Sequence, residues 1–191
     1  MDIEIVDNFI PPSYFSEIQR LILDTTFPWN FRGDITRSGG DVCEFGFNHF
    51  LFSNYENDTN FNEKSSTHFI GPAIFMIKDY VQCDQIYRSR LDMTVNVSKK
   101  FRHSPHVDLN RPNTTAILYI NDSDGDTVIF NEKVDETNYP VDRNREYTVK
   151  KTVSPVSNRL LVFSGDYIHT GHSPMHHKNR VLLNCNFGPF L

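Results

Sequence analysis

TTAILYINDSDGDTVIF, residues Thr114–Phe130, decides the architecture. Thr114–Asn121 is strongly apolar, β-branched and aromatic, and reads as a strand. The run Asn121-Asp122-Ser123-Asp124-Gly125 is a turn signal, so Thr127–Phe130 reads as the hairpin partner. Working outward, Met93, Val95 and Val97 alternate with polar neighbours, and residues 147–153, 159–163 and 181–187 read as further strands. Upstream of Leu91 the pattern differs. Residues 3–10 read as a short strand, and Pro11-Pro12-Ser13 as a helix start with Ser13 as the cap. Phe15, Ile18, Leu21 and Ile22 then form one apolar stripe. Residues 28–68 read as loops and short strands with a turn at Gly39-Gly40, and 69–85 as a helix with Ile74, Phe75, Met76, Ile77 and Val81 on its apolar face. The expected fold is mainly β with flanking helices: an antiparallel double-sheet roll buttressed on one face. It forms one domain over 1–191, with a helical and loop part over 1–90 and the β-roll core over 91–191. There is no internal repeat or linker.

Composition narrows the class. The 191 residues are 38% hydrophobic and 23% charged, which is globular rather than disordered. The net charge of -5 argues against a nucleic-acid backbone as the main partner. No stretch approaches the roughly 20 apolar residues of a membrane span. The opening MDIEIVDNFIPP is acidic where an export signal would be basic, and Cys43, Cys83 and Cys185 lack C-x-x-C spacing, so the expectation is a cytoplasmic chain with reduced thiols.

Two pieces of one metal site stand out. His106-Val107-Asp108 on a strand would send both ligand-type side chains to one face, because strand residues i and i+2 share a face. A third ligand must come from another strand, with His103, His169, His172, His176 and His177 as candidates. Two imidazoles and a carboxylate leave half of an iron coordination sphere open. Arg180, at the start of the last apolar run, offers the fork that a dicarboxylic co-substrate needs.

His106-Val107-Asp108, TAILYINDSDGDTVIF (115–130), NRLLVFSGDYIHTGHSP (158–174) and NRVLLNCNF (179–187) occur in an order that resembles the Fe(II)- and 2-oxoglutarate-dependent dioxygenases. The likeness is to the prolyl-hydroxylase-like branch and its small phage-encoded members. It covers about residues 91–187, with IEIVDNFIPPSYFSEI resembling the branch's usual opening; residues 28–90 carry little of it. The resemblance implies a distorted double-stranded β-helix, or jelly roll, with Fe(II) on His106, Asp108 and His169. His169 is implied over His172 because Pro174 follows it by five residues, within the family's usual four or five. Arg180 would pair with the distal carboxylate of 2-oxoglutarate, Tyr119 would place its hydroxyl on that carboxylate, and Asn96 would face the co-substrate. Ser98 replaces the tyrosine that related phage sequences carry beside that asparagine.

The implied reaction hydroxylates an unactivated C–H bond, with O2 consumed and 2-oxoglutarate converted to succinate and CO2. A peptidyl proline is the substrate by analogy, in the host cytoplasm if the chain is phage-encoded; other small molecules or peptides remain open. Three further readings are weighed: a cupin-like metal enzyme that does not use 2-oxoglutarate, a non-catalytic ligand-binding roll, and a nucleic-acid demethylase-type oxygenase, which the acidic balance disfavours. Residues 31–68 and 131–146 are long and polar and are the expected walls over the site. Oligomeric state has no sequence signal.

Overall fold

The computed structural model describes residues 2–36, 41–55, 58–61, 65–134 and 139–188. Along the chain run β1 (Glu4–Val6), α1 (Pro12–Ile22), β2 (Asn30–Arg32), β3 (Gly46–Tyr55), β4 (Asp58–Phe61), α2 (Ser65–Val81) and β5 (Gln85–Val95). Then follow β6 (Thr114–Tyr119), β7 (Thr127–Lys133), β8 (Val149–Val153), β9 (Leu160–Ser164), β10 (Tyr167–Gly171) and β11 (Asn179–Gly188).

Strand alternation separates a structural face from a functional one. In β11, Val181, Leu183, Cys185 and Phe187 join the core built with Ile18 and Ile22 of α1 and Ile70, Ile74 and Ile77 of α2. Ala116 and Leu118 of β6 lie in the same layer. Ile117, Tyr119 and Leu182 point the other way and pack with Ile129, Leu161 and Phe163 between the sheets. β6 and β11 thus send one side-chain row to the helices and one into the roll.

The large antiparallel sheet has the order β1-β9-β6-β11-β5-β3-β2, with β4 beside β3; the small one is β10-β7-β8. The two enclose the site, giving the expected roll. In register, Arg180 opposes Thr94 and Asn184 opposes Arg90.

Several expectations are corrected. Thr127–Lys133 is not the hairpin partner of β6, which is flanked by β9 and β11; β7 lies in the other sheet. β6 is apolar on both faces and takes a central position, so its two hydrogen-bonding edges are already filled. The 120–126 turn therefore crosses between sheets. Ser13 is not the cap of α1: Pro11 holds that position without a side-chain bond, and Pro12 stands in the first turn. Proline suits that turn because its missing N–H would have no helical partner there. Residues 3–10 shorten to the three-residue β1. The 1–90 part is not only helix and loop, since β3 is a ten-residue strand paired with β5. α2 starts at Ser65 and ends at Val81, Gln85 already opens β5, and Phe75 is exposed. The Gly39-Gly40 turn lies outside the described residues. The three cysteines are free, and no helix of the described residues is long and apolar enough to cross a membrane.

Candidate metal centre

His106 and His169 are direct neighbours across an antiparallel bridge beside β10. Their backbones exchange both hydrogen bonds, His106 N to His169 O at 3.0 Å and His169 N to His106 O at 2.9 Å. Their rings stand 4.7 Å apart, centroid to centroid. Each ring is fixed in the same way. His106 Nδ1 donates to the carbonyl of Ser104 at 2.9 Å, and His169 Nδ1 to that of Tyr167 at 3.0 Å. A carbonyl only accepts, so in the neutral form of each ring the proton sits on Nδ1 and Nε2 is the nitrogen left with a lone pair. Burial, reinforced by the neighbouring His169, lowers the His106 pKa to about 4, so this imidazole is neutral at physiological pH. A neutral imidazole is the metal-binding form.

Asp108 lies beyond the bridge in a bend rather than on a strand, so sheet alternation does not aim it. The large sheet does. Arg88 Nη2 donates to its Oδ1 at 2.7 Å, and the side-chain amides of Asn184 and Asn186 donate to its carboxylate at 3.1–3.2 Å. Burial alone would raise the Asp108 pKa, but the Arg88 guanidinium beside it holds the carboxyl well below its ordinary value. Its Oδ2 lies 3.9 Å from His169 Nε2. That is less than twice a metal–ligand bond of roughly 2.1 Å, so one ion can reach both. Ligand atoms of His106, Asp108 and His169 all lie within 4.8 Å of one another.

The remaining candidate histidines fall elsewhere. His103 is buried but turned to Glu44 and Ser173, His177 pairs with Asp124, and His172 sits opposite Arg102.

Arg180 is buried and shares a narrow cavity with His106 and His169. Its Nη2 donates to Thr127 Oγ1 at 2.6 Å, while its buried Nε has no partner among the described residues. A Cβ at Gly125 would lie 2.9 Å from Arg180 Cδ and 2.5 Å from the His172 carbonyl, so only glycine leaves the arginine its path. Tyr119 stands behind Thr127, its hydroxyl 2.7 Å from Thr127 Oγ1, and burial raises its pKa. Thr127, rather than Tyr119, forms the cavity wall.

Asn96 is not part of this group. It is exposed, and its amide donates to the carbonyls of Met175 and His177, which it ties to the end of β5. It follows the last strand residue, so alternation no longer governs its direction. Residues missing from the sequence reading include Thr127, Arg88, Asn184 and Asn186. The last two share strand parity with Arg180, and the polar side chains at 180, 184 and 186 on one face of NRVLLNCNF were the signal available.

A second cavity of about 380 Å³ meets the first at His106 and Arg90. Ile35 and Thr36 line it, as do Tyr139, Pro140 and Val141, so parts of both expected wall segments do border the site. A larger cavity of about 890 Å³, beside Val107 and Asn113, holds none of the three ligand-type side chains.

No family model and no curated protein matches the sequence. Solved structures do match the fold. An oxidoreductase of the 2OG-Fe(II) oxygenase family from Burkholderia pseudomallei superposes with a TM-score of 0.67 at 11% identity, over 97% of this chain and 84% of that one. A prolyl hydroxylase from Trichoplax adhaerens, in complex with a hypoxia-inducible-factor peptide fragment, gives 0.61 at 13%, over 97% and 83%. The epimerase SnoN in complex with Fe3+, alpha ketoglutarate and nogalamycin RO gives 0.63 at 9%, over 98% and 78%. The chain therefore has the double-stranded β-helix fold of the 2-oxoglutarate oxygenases.

Proposed function

We propose that this protein is an Fe(II)- and 2-oxoglutarate-dependent dioxygenase that hydroxylates an unactivated C–H bond. One observation carries the reading: a buried guanidinium with unspent donors shares a cavity with two imidazole lone pairs beside a carboxylate. The donor set fits the metal, since two neutral imidazoles and one carboxylate suit ferrous iron with open positions. It fits the co-substrate as well, because a buried cation with an unpartnered Nε calls for an anion.

Bound iron and 2-oxoglutarate together supply the oxidising chemistry, coupling loss of CO2 from the oxo acid to oxygen insertion by O2. The chain's own residues bind and orient. His106, Asp108 and His169 hold the ion, and their carbonyl, arginine and amide partners keep lone pairs aimed at one point. Arg180, propped by Thr127 and Tyr119, receives the distal carboxylate. Leu182 and Ile117 line the wall between and limit water. A peptidyl proline is the finer substrate reading; support comes from the peptide-bound prolyl hydroxylase of the same fold.

The test is Mn(II) and 2-oxoglutarate binding by calorimetry alongside iron-dependent release of labelled CO2. His106→Ala and Asp108→Ala should lose metal binding and turnover. Full iron-dependent decarboxylation by His106→Ala sinks the assignment.

A further inference from the structure

The 380 Å³ cavity beside the triad has an unusual charge. Its charged walls are Arg88, Arg90, Arg143 and Asp108, three guanidinium groups against one carboxylate. Its size suits a small molecule or a single side chain. Two of the cations are committed. Arg88 is spent on Asp108 and on Asn186 Oδ1, at 2.7 and 2.9 Å, and Arg143 Nη2 donates to the Thr36 carbonyl at 2.8 Å. Arg90 differs. Its Nε is held by Asp92 at 2.8–2.9 Å and its guanidinium lies 5.9 Å above the Phe50 ring, yet neither Nη atom has a hydrogen-bond partner among the described residues. Arg90 also lines the inner cavity, so its fork stands where the two cavities join.

From this we infer that Arg90 is a specificity-determining residue that binds a carboxylate of the primary substrate, next to the C–H bond presented to the metal. This rests on the oxygenase reading of the site. A guanidinium whose Nε is already anchored is fixed in direction, and its two outward Nη donors match the two oxygens of a carboxylate. Asp92 offsets part of its charge, which suits a monoanion better than a phosphate dianion. Arg143, across the cavity in the 139–143 wall, adds positive potential without being needed as a direct contact. Such a carboxylate can belong to a free amino or organic acid, or to an acidic residue of a peptide.

The experiment uses calorimetry on protein saturated with Mn(II) and 2-oxoglutarate, so that acidic probes do not report competition at Arg180. The probes are aspartate, asparagine, glutamate and glutamine, each free and as the central residue of a blocked tripeptide. The expected result is at least tenfold tighter binding of one acid than of its amide. That preference should fall below twofold in Arg90→Gln and survive in part in Arg90→Lys, which keeps charge and loses the fork. Preference confined to the free acids identifies a small-molecule substrate, and preference confined to the tripeptides a peptide one. Acid and amide binding alike, or no acid binding, overturns the inference, as does an undiminished preference in a folded Arg90→Gln protein. Failure of wild-type protein to bind 2-oxoglutarate in the presence of Mn(II) instead removes the oxygenase reading itself.

Discussion

Arg88 Nη2 lies 2.7 Å from Asp108 Oδ1, with the two side chains only 12% and 2% exposed. Among the described residues it is the one guanidinium hydrogen-bonded to the triad's carboxylate, and the Asn184 and Asn186 amides complete the shell. Arg88→Met should leave Asp108 buried with amide donors alone. Residues that orient a ligand are commonly worth about 10–100-fold in metal affinity. The expected outcome is a loss of that size in Mn(II) titrations of folded protein, with a stability loss of about 3–5 kcal/mol from the broken buried pair. Unchanged Mn(II) affinity would show that Asp108 does not depend on this arginine.

The Arg180–Thr127–Tyr119 relay predicts an order of effects. Arg180 and Thr127 are 2.6 Å apart, and Thr127 and Tyr119 2.7 Å. Thr127→Val removes a charge-assisted hydrogen bond of about 1.5–3 kcal/mol, so 2-oxoglutarate should bind about tenfold or more weakly. Tyr119→Phe acts one step further back and should cost only a few-fold. Arg180→Ala should raise the 2-oxoglutarate requirement most. Calorimetric titration of 2-oxoglutarate into Mn(II)-loaded variants checks the order, and a larger loss for Tyr119→Phe than for Thr127→Val would reverse it.

Much of this site was legible in the chain, for reasons that differ by residue. His106, Asp108, His169 and Arg180 were readable because their residue types suit ligation or anion pairing, and the order of their motifs resembled a family. The roll itself was readable from period-two alternation after Leu91. The pairing of β6 was not, because a turn signal reports only that the chain reverses, and not which sheet it returns to. β3 escaped because its sequence, GFNHFLFSNY, mixes aromatics with polar residues and shows no clean alternation. Its bulge at Phe50–Phe52 shifts the register and breaks the period further. Asn96 was placed by analogy along a strand that ends one residue earlier.

The depressed His106 pKa gives the metal-free protein a specific acid weakness. The folded imidazole titrates at about 4, against 6.5 for the ordinary value. Between those values the unfolded chain binds a proton that the folded one refuses, so stability falls as pH drops from about 6.5 to about 4. A shift of this size corresponds to roughly 3 kcal/mol. His172, also lowered by burial, adds to the slope. The measurement is urea unfolding of metal-free protein at several pH values, comparing wild type with His106→Asn. The variant should lack most of the loss across this window. Identical slopes would place the imidazole's pKa near its ordinary value.

Asn158 joins the N-terminal segment to the sheet that carries the site. Its Oδ1 accepts from Ile10 N at 2.9 Å and its Nδ2 donates to Ile10 O at 2.8 Å. Its own backbone N donates to the Tyr119 carbonyl at 3.0 Å, beside the relay to Arg180. The residue also has φ of 62°, in the left-handed region that asparagine tolerates better than most side chains. Asn158→Ala strands two backbone groups of the fully buried Ile10, at about 1–3 kcal/mol each, and adds about 1 kcal/mol for the backbone conformation. A loss of roughly 3–7 kcal/mol is expected, a large share of a typical stability of about 5–15 kcal/mol. Asn158→Gly loses the same hydrogen bonds but no longer pays for the positive φ, so it should be more stable than the alanine variant by about 1 kcal/mol. Urea denaturation of both proteins decides the matter. An alanine variant equal to wild type would show that the Ile10 clamp contributes nothing, and a glycine variant less stable than alanine would show that the backbone conformation is not what asparagine was chosen for.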